Sequence, residues 1–421
     1  MNKAGSGSNH DYPFGLFERF GIELEYMIVH RDTLDILPVC DKVLYHVSGT
    51  FTNEVMPEGH SGAAAWSNEL ALHVLEFKTL APAQTIDNLD IIFRREVARA
   101  LEILETMQGL LMPTAMHPWM NPNNEFIIWP HGDREIYETF DSIFSCKGHG
   151  WSNLQSMHIN LPFRNDVEFC RLHGAVRLIL PLITALTASS PLIEGKYSGL
   201  HDTRMDVYRT NCSIIPSLTG MIIPEPVYGI SDYHENILNK IYQDIKPFPG
   251  SSIISEEWVN ARDAIARFDR GTIEIRTADL QECPSADLAC AELIIETLKA
   301  IIFNENISAA DMNSIDTETL YMILMDIIKN GEKSVITSTA YLDILNMPGK
   351  QHTAEEILWT FFNRYISEAS LYRNTIKTIL NHGSLSTRIK KAAGPEPEKG
   401  KIYSVYNDLC TCLGKGELFL P

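Results

Sequence analysis

The segment Gly21-Ile22-Glu23-Leu24-Glu25-Tyr26 alternates apolar and acidic residues, and this pattern strongly constrains its conformation. In a β-strand, residues two apart point to the same face, so Glu23 and Glu25 lie side by side while the apolar residues face the core. Two adjacent carboxylates repel each other unless a cation lies between them or one of them takes up a proton. The segment therefore predicts either half of a site for a hard cation such as Mg²⁺ or an ordinary strand with one solvated face.

Three further segments carry ionisable or ligand-forming side chains at intervals of two. They are 73–79 with Glu76, 157–161 with His158 and Asn160, and 272–277 with Glu274 and Arg276; Glu69 shortly precedes the first. Taken singly, each pattern is more typical of a solvated strand, a surface ion pair or a hydrogen-bonded core histidine than of a site. Their joint occurrence favours a site, because four such strands in one sheet would place four glutamates, a histidine and an arginine on one face.

Such a face would repel itself when empty. Two or three Mg²⁺ ions would neutralise it and would hold polyphosphate oxygens through their remaining coordination positions. Arg276 offers a planar two-pronged donor to a phosphate. This chemistry suits phosphoryl transfer. The chain has neither a Gly-x-x-x-x-Gly-Lys-Ser/Thr loop nor a Gly-x-Gly-x-x-Gly turn, so a nucleotide would have to be held by the sheet and its metals.

Apolar periodicity predicts isolated strands separated by long helices, without a β-α-β rhythm. Strands are expected at 17–29, 73–79, 156–163 and 265–279, helices at 86–111, 166–187, 233–245, 256–264, 285–303, 317–329 and 353–380, and loops at 50–67 and 112–151. This order favours an α+β fold with an antiparallel sheet. We expect a disordered N-terminus at 1–14, an α+β domain at 15–303, a helical region of the same fold at 304–390 and a polar tail at 391–421.

The net charge and the cysteine content restrict which partners and which cellular compartment are expected. The formal net charge of −19 argues against a nucleic acid as the main partner, since binding one needs a basic footprint. A nucleotide remains open, because divalent ions can supply positive charge locally. The eight cysteines form no disulfide framework, residues 1–10 lack an apolar leader, and the run 178–193 is too short and too polar to cross a bilayer. These features predict a cytoplasmic protein that does not bind a membrane.

The segments 21–25, 74–79, 114–118, 157–160, 189–195 (followed by Gly199 and Arg204) and 271–276 (followed by Asp279) form an ordered set of motifs. In this order they resemble the glutamate–cysteine ligase family, in particular its bacterial carboxylate–amine ligase branch, with the glutamine synthetase/guanidino kinase fold. The resemblance spans about 17–303. Where many members of that branch have a second histidine and a glycine, this chain has Asn160 and Leu161. In having Asn160 at this position, the chain is similar to the proteobacterial glutamate–cysteine ligases.

The resemblance implies an antiparallel β-sheet cradle with helices packed on its outer face and a helical C-terminal region. It implies ATP and two or three Mg²⁺ ions, with Mn²⁺ as a substitute. The implied metal ligands are Glu23, Glu25, Glu69, Glu76, His158 and Glu274. Arg276 and Glu274 would bind the nucleotide, and Arg276 and Arg204 would be catalytic, Arg276 contacting the transferred phosphate. Asn160, Thr79 and Arg204 would contact substrate.

The implied activity is an ATP-dependent ligase of glutathione biosynthesis. A carboxylate substrate, expected to be glutamate, would first be phosphorylated to an acyl phosphate. An amine, expected to be cysteine, would then react with the acyl phosphate to form an amide. Two alternatives stay open: a guanidino or amine phosphotransferase of the same fold, and a non-catalytic nucleotide-binding protein. The expected partners are small molecules, and the sequence leaves open whether the protein forms a homo-oligomer.

Overall fold

The computed structural model describes residues 11–59 and 62–421. The strands in these ranges are β1 Gly21–His30, β2 Glu54–Val55, β3 Ala64–Asn68, β4 Val74–Thr79, β5 Gly109–Met112, β6 Ser156–Pro162, β7 Leu192–Ile193, β8 Lys196–Tyr197, β9 Ala264–Arg267, β10 Thr272–Asp279, β11 Val335–Ile336 and β12 His352–Thr353. Eight of them form one antiparallel sheet in the order β2-β3-β4-β1-β6-β10-β9, with β5 pairing with the second half of β1. The structure confirms the α+β fold with an antiparallel sheet.

Helices account for most of the remaining chain. They are α1 Cys40–Ser48, α2 Leu89–Glu105, α3 Pro122–Glu125, α4 Arg134–Phe144, α5 His149–Ser152, α6 Asp166–Thr187, α7 Thr203–Tyr208, α8 Ile230–Tyr233, α9 Asn239–Ile245, α10 Pro284–Ile302, α11 Ala309–Asn313, α12 Thr317–Asn330, α13 Thr339–Ile344, α14 Ala354–Tyr365, α15 Arg373–His382, α16 Leu385–Ala393 and α17 Lys399–Lys415. A π-helical turn, His234–Leu238, joins α8 to α9, and short 3₁₀ turns lie at Pro216–Leu218, Glu257–Val259 and Gly331–Lys333.

One face of the sheet is buried beneath helices. Ile22, Leu24 and Ile275 are fully buried on this face, and α6 packs along β10 while α10 packs against α6 and α2. Helix α6 begins where the side chain of Asn165 accepts a hydrogen bond from the Glu168 backbone N–H, a typical N-cap. Among the described helices, α6 alone is long and apolar enough to cross a membrane by composition, and 89% of its apolar window is buried inside this structure. It is the central core helix behind the sheet.

Long-range strand pairing overrides several sequence predictions. The helix predicted at 86–111 ends at Glu105, because Gly109–Met112 pairs with β1 as β5. The helix predicted at 256–264 is only a 3₁₀ turn, and Ala264 already pairs with β10 as the first residue of β9. The loop predicted at 50–67 contains β2 and most of β3, which extend the sheet beyond β4.

Both ends of the chain contribute to the packed structure. Of the N-terminal segment expected to be disordered, residues 1–10 lie outside the described residues, whereas the ring of Tyr12 packs edge-on against Phe163 at 5.2 Å. The C-terminal segment expected to be a polar tail contains α17, which buries Ile402, Tyr406 and Leu409. The helix expected at 353–380 is divided into α14 and α15. Helix α17 packs on β5 and α2, and its buried residues cluster with Met27 and Val29 at the end of β1.

Candidate active site

The pairing register of the strands determines which side chains lie together on one face of the sheet. Glu23 on β1 lies opposite Lys78 on β4 and opposite His158 on β6. Glu25 lies opposite Glu76, and Glu274 on β10 lies opposite Asn160. Directly opposed residues point to the same side of a sheet, so the charged side chains of four strands converge on the face opposite the one that α6 covers; we call this acidic face the open face.

His158 bridges the two carboxylates of β1. Its Nδ1 lies 2.9 Å from Glu23 Oε2, and its Nε2 lies 3.6 Å from Glu25 Oε1. Glu25 also accepts hydrogen bonds from the backbone N–H and hydroxyl of Ser156, at 2.6 and 3.0 Å. Asn160 donates to Glu23 at 3.2 Å. Burial would lower the pKa of His158, but its hydrogen bond to Glu23 and the charge of Glu25 outweigh burial and raise that pKa to about 9.

Glu76 and Glu69 are the members of the acidic cluster whose pKa values are raised. Burial, followed by the charge of Glu23, raises the pKa of Glu76 to about 7, although Ser67 donates to it at 2.6 Å and Lys78 lies 3.4 Å away. Burial and the charges of Glu76 and Glu25 raise the pKa of Glu69 well above its usual range. Both carboxyl groups resist ionising in this arrangement, because burial and the neighbouring carboxylates disfavour their charged forms.

The donor atoms fit hard divalent cations. Among the described residues, two overlapping groups have donor atoms within 4.8 Å of one another: Glu23, Glu76 and His158, and Glu25, Glu69 and Glu76. Carboxylate-rich sets of this kind suit Mg²⁺ or Mn²⁺. Neither group includes Glu274, which the family resemblance made a sixth ligand.

Glu274 is held by arginines. It accepts from Arg276 Nε at 2.6 Å and from Arg267 at 3.1 Å. Burial would raise its pKa, but Arg276, His158 and Arg267 lower it to about 2. Glu274 therefore orients the guanidinium of Arg276 beside the acidic cluster.

Arg204 contacts the backbone of β10 and also lines the smaller cavity described below. Its guanidinium donates to the carbonyl oxygens of Arg276 and Thr277, at 2.8 and 3.2 Å, and pairs with Asp279 at 3.4 Å. These carbonyls belong to the bulge where the pairing of β10 with β6 shifts register between Ile275 and Ala278. Arg204 thus fixes the stretch of backbone that carries Arg276.

Two cavities meet at the acidic cluster. The larger, about 610 Å³, is lined by Glu23, Glu76 and Glu274 and also by the predicted substrate residues Thr79 and Asn160. The hydroxyl of Thr79 accepts from the backbone N–H of Ile22 at 3.3 Å. The smaller cavity, about 270 Å³, contains Glu25 and an edge of Arg204. Glu69, His158 and Arg276 line both cavities, so a group transferred between them would pass these three side chains.

The larger cavity contains cations that were not among the site residues predicted from the sequence. Lys78, Arg267 and Arg270 line it, as do Tyr12 and Phe14 near the N-terminus. Lys78 follows Glu76 by two residues, so the alternation of β4 already placed it on the open face. Arg267 pairs with Thr272 across the β9–β10 hairpin, and recognising that hairpin would have placed it there too.

Comparison with known proteins identifies the family. The sequence profile of glutamate-cysteine ligase family 2 (GCS2) matches residues 19–408. The chain belongs to this family. A protein of Archaeoglobus fulgidus described as uncharacterized is 30% identical over 401 residues, which cover 95% of this chain and 100% of that protein. A putative glutamate–cysteine ligase 2-1 of Nocardioides sp. is 25% identical over 201 residues, 46% of this chain and 48% of that protein.

A solved structure supports the fold. The glutamate–cysteine ligase of Francisella tularensis in complex with AMP superposes with a TM-score of 0.61 at 12% identity, covering 95% of this chain and 89% of that chain. At this identity the likeness shows the fold alone. Membership of glutamate-cysteine ligase family 2 confirms the resemblance seen in the motifs and indicates that the protein is a ligase.

Proposed function

We propose that this protein is an ATP- and Mg²⁺-dependent carboxylate–amine ligase of the cytoplasm. The observation that carries the proposal is the junction of two cavities at Glu69, His158 and Arg276, beside two overlapping groups of metal ligands. Glutamate and cysteine, the substrates in the family's name, are the first pair to assay. Amide formation between them would place the protein in glutathione biosynthesis.

The two cavities suit two successive steps. In the first, a carboxylate oxygen of the substrate bonds to the γ-phosphorus of ATP, the bond from that phosphorus to the bridging oxygen breaks, and ADP leaves. In the second, the amine nitrogen bonds to the carbonyl carbon of the acyl phosphate, the carbon–oxygen bond to phosphate breaks, and the nitrogen loses a proton. The ligase thereby releases ADP, phosphate and an amide.

Different side chains would bind the metal, stabilise the transferred phosphoryl group and bind the nucleotide phosphates. Glu23, Glu25, Glu69, Glu76 and His158 would hold Mg²⁺, which when bound neutralises polyphosphate charge. Arg276, fixed by Glu274, would stabilise the charge on the transferred phosphoryl group, and Lys78, Arg267 and Arg270 would bind the nucleotide phosphates in the larger cavity. Burial of the junction would limit access of water to the acyl phosphate.

An assay of ADP release tests the proposal. The purified protein is incubated with ATP, Mg²⁺, glutamate and a panel of amino acids and simple amines, and the product mass is measured. A ligase gives one ADP and one phosphate per amide. ADP release with a phosphorylated amine or guanidine and no amide would identify a phosphotransferase instead. Absence of ADP release with any carboxylate would contradict the ligase proposal.

Replacing Glu25 with glutamine tests the metal assignment. The amide oxygen that Glu25→Gln introduces can still accept from Ser156, so we expect a folded protein that has lost one charge of the cluster. Turnover should fall by roughly a hundredfold or more. Mg²⁺ should raise the melting temperature of the native protein, and it should raise that of the variant much less. Glu102→Gln, on the exposed side of α2, is the control and should behave as the native protein does. Full activity of Glu25→Gln would rule out Glu25 as a ligand.

A further inference from the structure

The smaller of the two cavities is walled by apolar and aromatic side chains. We call it the aromatic chamber and define it by Ile136, Tyr137, Phe140, Trp151, Tyr208 and Trp258. Phe140 packs against Trp151 and Trp258 with ring centroids 5.5 and 5.8 Å apart, so the wall is preassembled. Tyr137 is fixed by a hydrogen bond from Asn68 at 3.1 Å. At about 270 Å³, the chamber lies just below the range of roughly 300–1,000 Å³ typical of ligand pockets, and it suits a small molecule.

The cations at the base of the chamber are already engaged. Among the described lining residues these cations are His158, Arg204 and Arg276. His158 is hydrogen-bonded to Glu23, Arg276 is paired with Glu274, and Arg204 is held by Asp279 and two carbonyls. The additional arginines and the lysine of the site line the larger cavity. A ligand carboxylate inside the aromatic chamber would therefore be desolvated, would compete with these partners for the cations, and would face the carboxylates of Glu25 and Glu69 in the same lining, which is costly.

We propose that the aromatic chamber binds the acceptor amine and selects a primary amine with an aromatic or apolar body and no carboxylate of its own. This inference rests on the proposed ligase function and specifies its second substrate. The chamber opens onto Glu69, His158 and Arg276, where the acyl phosphate would form, so an amine held against the aromatic wall would face the carbonyl carbon. Aromatic walls favour such a body through apolar burial and ring packing.

Binding without turnover tests this selection directly. The full-length protein, with Mg²⁺ and a non-hydrolysable ATP analogue, is titrated with 2-phenylethylamine, phenylalanine and cysteine, and binding is followed by tryptophan fluorescence and calorimetry. Phenylethylamine and phenylalanine differ only in the carboxylate. We expect phenylethylamine to bind at least tenfold more tightly than either amino acid. Equal binding of phenylalanine, or tighter binding of cysteine, would overturn the proposal.

Variants of the wall locate the binding site. Trp258→Ala should weaken phenylethylamine binding about tenfold, and Trp258→Phe should restore most of it, while neither changes the affinity for the ATP analogue. Phe51→Ala, which truncates a surface aromatic that is 54% exposed and outside the chamber, is the matched control and should bind as the native protein does. Unchanged phenylethylamine binding by Trp258→Ala would place the amine elsewhere.

Turnover separates this inference from the proposed function. If phenylethylamine yields an amide with glutamate at a higher kcat/KM than cysteine does, both proposals hold. If only cysteine yields an amide, the ligase function stands and the amine selection is overturned. If the amines bind as expected but no carboxylate supports ADP release, the ligase function fails while the chamber remains a binding site for apolar amines.

Discussion

The guanidinium of Arg204 stabilises an irregular stretch of β10 by contacting its backbone. It donates to the carbonyl oxygens of Arg276 and Thr277, two neighbouring residues in the bulge, and pairs with Asp279. A planar guanidinium can satisfy all three acceptors at once, whereas a lysine ammonium cannot match that geometry. Arg204 is therefore a positioning residue for Arg276, in addition to any contact its edge makes in the smaller cavity.

The substitution Arg204→Lys tests this role. We expect the free energy of unfolding to fall by about 1–3 kcal/mol, because buried acceptors lose their donor. A small displacement of Arg276 should lower kcat by roughly tenfold or more. The KM for the carboxylate should change little, which steady-state kinetics can measure.

A control separates positioning from direct binding. Arg209→Lys alters an arginine at the end of the same helix, paired with Asp206 at 2.7 Å, and should leave kcat unchanged. If Arg204 binds the substrate directly, as the family resemblance implies, Arg204→Lys should instead raise the KM for the carboxylate with a smaller loss of kcat.

At the scale of elements, the β9–β10 hairpin joins the sheet to the N-terminal segment. Gly271, in its turn, has a φ of +67°, and a methyl group there would lie 2.4 Å from the ring of Tyr12. Tyr12 and the hairpin both line the larger cavity. The turn therefore requires glycine for its backbone conformation and for the close approach of Tyr12.

Gly271→Ala violates both requirements, and comparison with Gly49→Ala separates the steric effect from the conformational one. We expect the free energy of unfolding to fall by at least about 1–2 kcal/mol from the left-handed backbone. The KM for ATP should rise as well, because Tyr12 must move. Gly49→Ala is the matched control, since Gly49 has a φ of +75° with no atom within 4 Å of the added methyl group. A KM for ATP that is unchanged in Gly271→Ala would show that Tyr12 does not shape the nucleotide cavity.

Strands with one buried face were the predictable part of the sheet. In β1 and β10, alternation separates core residues such as Ile22 from the open-face residues Glu23 and Glu274, and register then brings the latter together. Strand β3, Ala64–Asn68, is buried along its whole length and has no alternation to detect. The position of Arg204 depends on the bulge in β10, a register shift that leaves no periodic signal.

At the scale of the whole molecule, the core contains histidines that cannot readily become charged. Burial, together with the charges of Arg177 and Arg262, lowers the pKa of His173 to about 3. Its ring packs between Phe169 and Tyr233, with centroids 5.6 and 5.7 Å away. In the unfolded chain a histidine titrates near 6.5. Between these two values the unfolded state binds more protons than the native state, so protons favour unfolding as the pH falls below about 6.5.

Removing this histidine should reduce the acid sensitivity of the whole fold. His173→Leu should make the loss of unfolding free energy between pH 6.5 and pH 4 shallower by up to about 1.4 kcal/mol per pH unit, measured by urea denaturation at each pH. The exposed residue His382 provides the control, because His382→Leu removes a histidine that solvent reaches in the native state. An identical pH dependence for the native protein and His173→Leu would contradict burial of a neutral imidazole. A shallower dependence in His173→Leu alone would show that a neutral histidine in the core contributes to the acid limit of stability.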